Sequence, residues 1–238
     1  MKAKRVKKLD PAQPLAENAA RIVGVRLREL RSFAPAALEP DASREQHDMR
    51  IAAKRLRYVL EATEFCFGRP GRTARRRARD LQNVLGEVHD CDVMLPRIED
   101  QSESLRRADA AAVRERAGDA DDLDPALSAK AGHRTAYRGL DVLAVHVGAR
   151  RRLLFDRFRE LWAAQEHAGT WDRLERAAES TLRSAGERRE AAERAARAAE
   201  ELARAQEAER EAAERARRAA AELADARRDG GGGAPERV

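Results

Sequence analysis

The chain has 238 residues, 38% charged and only 4% aromatic, with a net charge of +6 and a mean hydropathy of −0.73. It is long enough for one large domain or two small ones, but its core must be assembled from Leu, Val and Ala on helix faces rather than from large rings. No apolar run approaches the ~20 residues of a membrane span. The two cysteines, Cys66 and Cys91, form no disulfide framework and fit a reducing cytoplasm. Ala, Arg, Glu and Leu dominate, and β-branched residues never alternate as in strands, so the composition predicts an all-α protein.

In chain order, Met1 to Asp10 is basic through Lys2, Lys4, Arg5, Lys7 and Lys8, with no apolar stretch after it. It is therefore not a secretory signal, and residues 1–13 read as a disordered, solvated leader. Leu15 to about Phe33 carries apolar residues at helical spacing (Ala19, Ile22, Val23, Leu27, Leu30), and Pro35 and Pro40 are expected to end that first helix. Asp41 or Ser43 can cap a second helix running to about Phe65, and Gly68-Arg69-Pro70-Gly71 should break it.

The second helix is the most informative segment. At about 100° per residue, Arg50, Lys54 and Arg57 fall within about 80° of His47. Met49, Ala52, Ala53, Leu56, Val59, Leu60 and Thr63 fall on the opposite side. Ordinary solvated helix faces mix charge signs at i,i+4, whereas this polar face is a row of cations with no acid until Glu61. Such a row costs free energy unless an anion answers it, and an extended row implies an extended anion.

A third helix, from about Arg72 to Val88, repeats the design. Arg72, Arg75, Arg76 and Arg79 share one side, and Ala74, Ala78, Leu81, Val84, Leu85 and Val88 the other. Joined by a short loop, the two helices should pack antiparallel through their apolar faces; helix rotation decides whether the cations converge. Between residues 50 and 79, ten Lys and Arg (50, 54, 55, 57, 69, 72, 75, 76, 77, 79) oppose Glu61 and Glu64 alone. Residues 101–238 are neutral overall, so the positive field is local.

The third helix either continues through Asp90 to Leu95 or kinks near His89, and Pro96 could open a new helical segment. Residues 117–125 read as a loop. A long helix from about Tyr137 to Ala164 carries Leu140, Leu143, Ala144, Val147, Leu154, Phe155, Phe158, Leu161 and Trp162, and Trp171 starts another. From Glu187 to Arg228 the chain is a low-complexity run of Ala, Glu and Arg whose only large apolar residues are Leu202 and Leu223. Glu/Arg pairs at i,i+3 and i,i+4 support a solvated helix there, but an Ala seam is too small for a strong coiled coil. The organisation expected is a leader (1–13), an antiparallel helical bundle (14–180), an Ala/Glu/Arg-rich helical extension (181–229) and a disordered tail (230–238).

The spacing His47-x-x-Arg50-x-x-x-Lys54-Arg55-Leu56-Arg57-Tyr58, followed by Leu81-Gln82-x-x-Leu85-Gly86-x-x-His89-Asp90-x-Asp92-Val93, resembles the signature of CHAD domains, the conserved-histidine α-helical domains. The resemblance covers residues 44–100, is loose over 15–33 and 133–175, and does not reach the tail. It implies an all-helical fold of two similar halves around a basic channel, binding of inorganic polyphosphate, and occurrence of some members beside triphosphate-processing enzymes. It assigns His47, Arg50, Lys54, Arg55 and Arg57 to the basic motif and Asp90 and Asp92 to the acidic pair; many members have Arg where His89 stands. A second basic motif is expected in a full-length member. Here His146 is followed by Arg150, Arg151 and Arg152 without the His-x-x-Arg step, so either one half lacks an anion site or two chains complete the channel as a homodimer.

The residue types suit the ligand: Arg contacts phosphate bidentately and Lys as a mobile point charge. His47 is either neutral and structural or protonated beside the anion. His89, Asp90 and Asp92 are expected to orient cations, an Asp pairing with Arg76 or Arg79, rather than to catalyse. No cofactor or metal is expected. Two rivals share the residues. A nucleic-acid-binding protein would use the basic patch but should add stacking aromatics, and Tyr58, Phe65 and Phe67 read as packing residues. A metal-dependent phosphohydrolase would use His47-Asp48 and His89-Asp90-Cys91-Asp92, but a dense cationic row disfavours a divalent metal nearby.

Overall fold

The computed structural model describes residues 3–229, and among them there are helices and no strand. Six α-helices follow in order: α1 (Leu15–Ala37), α2 (Ser43–Thr63), α3 (Gly68–Ala117), α4 (Pro125–Ala129), α5 (Arg134–His167) and α6 (Thr170–Asp229), with a 3₁₀ turn at Glu64–Cys66. The chain divides into two units, Met1–Leu182 and Arg183–Val238. The tail expected over 230–238 lies outside the described residues.

The first unit is built on the predicted apolar faces. Val23, Leu27 and Leu30 of α1, Met49, Ala52, Ala53, Leu56 and Leu60 of α2, and Ala74, Ala78 and Leu81 of α3 are all fully buried in one core. Phe158 of α5 and Trp171 and Leu174 of α6 complete it. A second, smaller cluster joins Val88, Cys91 and Ile98 of α3 to Val147 and Leu154 of α5. There α3 and α5 run on together as a helical pair.

Neither Pro35 nor Pro96 ends a helix, and the break at Gly68-Arg69-Pro70-Gly71 is shorter than expected. Pro35 lies inside α1, which continues to Ala37 because Ala34 and Ala37 are buried in the core and reward the last turn. Pro96 lies inside α3 without ending it. Proline removes one backbone hydrogen bond, but Ile98, Ser102 and Asp109 beyond it are buried, so packing carries the helix through. At Gly68-Arg69-Pro70-Gly71 the chain does turn, yet α3 begins there rather than at Arg72. Gly68 has φ +59°, and Pro70 falls in the first turn, where its missing N–H costs nothing. A Cβ on Gly71 would stand 2.7 Å from the Glu64 carbonyl oxygen, so the turn closes only over glycine.

The expected cap of α2 also differs. Ala42 occupies the cap position and no side chain caps the helix. Gln46 is buried instead and donates to the Glu39 carbonyl (2.7 Å), tying the α1–α2 loop to the helix. The leader carries no helix over residues 3–13; the Lys4 backbone N–H donates to Glu29 (3.3 Å), and Asn18 exchanges hydrogen bonds with Asp10. In the second unit the helix continues, and residues 187–225 are all exposed, Leu202 and Leu223 included.

Candidate anion-binding site

Helices α2 and α3 form an antiparallel hairpin, and two contacts fix its register. The His47 and His89 rings lie 4.4 Å apart between centroids, tilted by 49°. One turn on, Arg50 lies across α3 at Gly86, where an added Cβ would meet its Nε at 3.6 Å. Carried toward the hairpin turn at helical spacing, this register sets Lys54 opposite Gln82 and Arg57 opposite Arg79. Arg75, at i−4 from Arg79, prolongs the same stripe. On this register His47, Arg50, Lys54 and Arg57 face the side of α3 that carries His89, Arg79 and Arg75, and this line forms the seam.

The seam is partly answered from within. Arg57 Nε stands 3.7 Å from Glu61, one turn along α2. Arg75 Nε pairs with Glu64 of the 3₁₀ turn at 2.6 Å. Arg50, Lys54 and Arg79 have no carboxylate partner among the described residues. His47 Nδ1, Arg57 Nε and Gln82 Oε1 are buried without a hydrogen-bond partner. Unmade hydrogen bonds of this kind are costly and uncommon. Burial first, then the neighbouring His89 and Arg50, holds the His47 imidazole below its ordinary pKa, against the opposing pull of Asp48.

Other expected site residues are placed elsewhere. Arg55 points away from the seam, toward α1, and pairs with Glu29 at 3.1 Å; Glu29 is 1% exposed and also accepts from Arg26 at 2.7 Å. On α2 Arg55 lies about 130° from the centre of the seam stripe, so a motif read along the sequence merges two faces. Arg72 and Arg76 are exposed, as is Arg79, and neither Arg72 nor Arg76 has an ion-pair partner among the described residues. Asp92 takes Arg151 of α5 at 2.9 Å rather than Arg76 or Arg79, and Asp90 is exposed. Among the described residues no three His, Cys, Asp or Glu side chains gather as a metal site would require.

Two residues carry more than their sequence context indicated. Tyr58 is half exposed rather than packed. The Arg57 guanidinium lies 4.6 Å and the Lys54 ammonium 5.7 Å from its ring centroid, so the ring steadies both cations. Its i+4 relation to Lys54 was the available signal. Arg151 was one of three consecutive arginines. It donates to Asp92, to the Pro40 carbonyl (2.6 Å) and to Gln46 (2.9 Å), pinning α5 to α3 and to the α1–α2 loop; nothing in its local sequence marked it.

No helix of the described residues is long and apolar enough to cross a membrane. No curated protein and no solved structure matches the chain. Comparison with family models matches residues 2–99 to the CHAD domain, which takes in α1, α2 and α3 as far as Glu99 and leaves out α4, α5 and α6. The chain is thus similar to the CHAD domain family over residues 2–99, the stretch that supplies every cation of the α2–α3 seam.

Proposed function

We propose that the α2–α3 seam binds inorganic polyphosphate or a related polyphosphorylated anion, without turning it over. One observation carries the reading: His47 meets His89 and Arg50 crosses to Gly86, a register that, continued at helical spacing, turns Lys54 and Arg57 of α2 toward the side of α3 that carries Arg79 and Arg75. Cations recurring each turn, about 5.4 Å apart along α2, suit a linear anion better than a compact one. Bidentate Arg contacts and a mobile Lys match phosphate oxygens and need no base or sugar to read. CHAD domains as a family bind polyphosphate-related ligands, and the match over 2–99 supports that ligand class here.

Calorimetry with polyphosphates of defined length at two salt concentrations tests it. Affinity should rise with chain length until the seam is filled, and log K should fall linearly with log salt as counterions are released. Equal binding of orthophosphate and long chains would overturn it. The exposed Tyr58 ring beside Lys54 and Arg57 favours a second reading, single-stranded nucleic acid, because bases stack on such rings. A labelled oligonucleotide displaced by polyphosphate at fixed salt supports the first reading; the reverse order of affinity supports the second.

A cytoplasmic setting and a triphosphate-processing partner enzyme belong to the same proposal. Free Cys66 and Cys91 support the former. The family's occurrence beside such enzymes supports the latter.

A further inference from the structure

Helix α5 buries one face against α3, through Leu140, Val147, Leu154 and Phe158, and leaves an apolar stripe on the other. Val142 is 67% exposed, Val145 75% and Leu153 68%, with the exposed Ala149 between them. These positions follow one another at spacings of three and four residues, so they lie within about 80° of each other and opposite the buried face. Isolated exposed apolar residues need no explanation; a continuous stripe at the spacing of a helix–helix seam does.

The charges flanking the stripe identify its occupant. Arg138 stands at its N-terminal end, and Asp156 and Glu160 at its C-terminal end. Neither Arg138 nor Glu160 has an ion-pair partner among the described residues. Laid antiparallel on a second copy of itself about a two-fold axis at Ala149, the stripe sets Val145 against Leu153 of the other copy. It also sets Arg138 against Glu160, Val142 against Asp156, and the small Ala149 against itself at the crossing. Parallel pairing would instead stack Arg138 on Arg138 and Glu160 on Glu160, which like-charge repulsion opposes. The register thus matches apolar with apolar at Val145–Leu153 and opposite charges at Arg138–Glu160, while Val142 meets a carboxylate; self-matching of this kind is what an isologous dimer requires.

We propose that α5 is a homodimer interface, two copies packing antiparallel through Val145, Ala149 and Leu153 with reciprocal Arg138–Glu160 pairs. Three modest side chains per copy bury less than the roughly 800 Å² per partner of a standard interface, so the dimer is weak and exchanges with monomer.

Sedimentation equilibrium of the full chain without polyphosphate, from about 5 to 200 μM, should show a monomer–dimer equilibrium. Arg138→Glu should weaken association at least tenfold, and Arg138→Glu with Glu160→Arg should restore it. Val145→Asp should abolish it while helicity by circular dichroism stays unchanged, since Val145 is exposed. A monomer at every concentration would overturn the proposal. So would a dimer indifferent to Val145→Asp, or a charge-swapped double variant no better than the single one. None of these readouts involves the α2–α3 seam, so the dimer and the polyphosphate reading stand or fall separately.

Discussion

His47 and His89 face each other across the α2–α3 seam with ring centroids 4.4 Å apart, and Arg50 of the next turn crosses to Gly86. Two imidazoles and a guanidinium at this separation repel when protonated, and burial adds to the cost, so His47 is held below its ordinary pKa of 6.5. A phosphate chain laid in the seam reverses the balance by favouring the imidazolium.

The pH dependence follows in sign. Free His47 is neutral near pH 7 and takes up a proton on binding, so polyphosphate affinity should strengthen as pH falls from about 8 toward 6. Without ligand the linkage runs the other way. The unfolded chain binds the His47 proton more readily than the folded one, so His47 reduces stability as pH falls through 6.5 toward its lowered folded value. Calorimetry in two buffers of different ionisation enthalpy should show net proton uptake on binding, and His47→Gln should remove most of it. Equal uptake in the variant would place the titrating group elsewhere.

Lys54 and Arg79 lack carboxylate partners, so reversing them removes attraction without breaking a salt bridge; Lys54 loses only its contact with the Tyr58 ring. Lys54→Glu with Arg79→Glu should weaken polyphosphate binding by about 100-fold and lower the salt slope by about 2. Thermal denaturation should move little, because Arg79 is exposed and Lys54 is only partly buried.

Arg55 should behave in the opposite way. Its removal leaves the buried Glu29 with Arg26 and the Lys4 amide as partners. Arg55→Ala is expected to cost about 1–3 kcal/mol of stability while changing polyphosphate affinity less than twofold. Denaturant titration beside calorimetry separates the two effects, and a large affinity loss at unchanged stability would return Arg55 to the binding site.

Arg151 reaches Asp92, Gln46 and the Pro40 carbonyl through one planar fork. Arg151→Ala should cost about 2–3 kcal/mol, and Arg151→Lys should recover only part of that, because an ammonium cannot span all three acceptors. Hydrogen exchange at the α1–α2 loop should accelerate in both variants; protection equal to that of the parent chain would contradict the pinning role.

At Gly71 the added methyl of alanine would meet the Glu64 carbonyl at 2.7 Å and Phe67 at 3.0 Å. Gly71→Ala should destabilise by about 1–3 kcal/mol through strain in the turn. Because Glu64 also holds Arg75, the same change should weaken polyphosphate binding modestly. A fully stable variant would show that the turn relaxes freely.

The helical class, the core residues of α2 and α3, and the cationic character of both helices were legible in the sequence, because periodicity of 3.6 reports burial directly and charge needs no neighbour to be counted. Helix ends at proline were not legible. Pro35 and Pro96 are local penalties, and only the burial of Ala37 and of Ile98 on neighbouring helices outweighs them. The site divided in the same manner. That Arg50, Lys54 and Arg57 share a face follows from spacing on one helix. That Arg55 serves Glu29, that Asp92 serves Arg151, and that His47 meets His89 depends on the rotation and register of packed helices. Those are settled by side-chain interdigitation across the whole bundle, a property of many residues far apart in the chain.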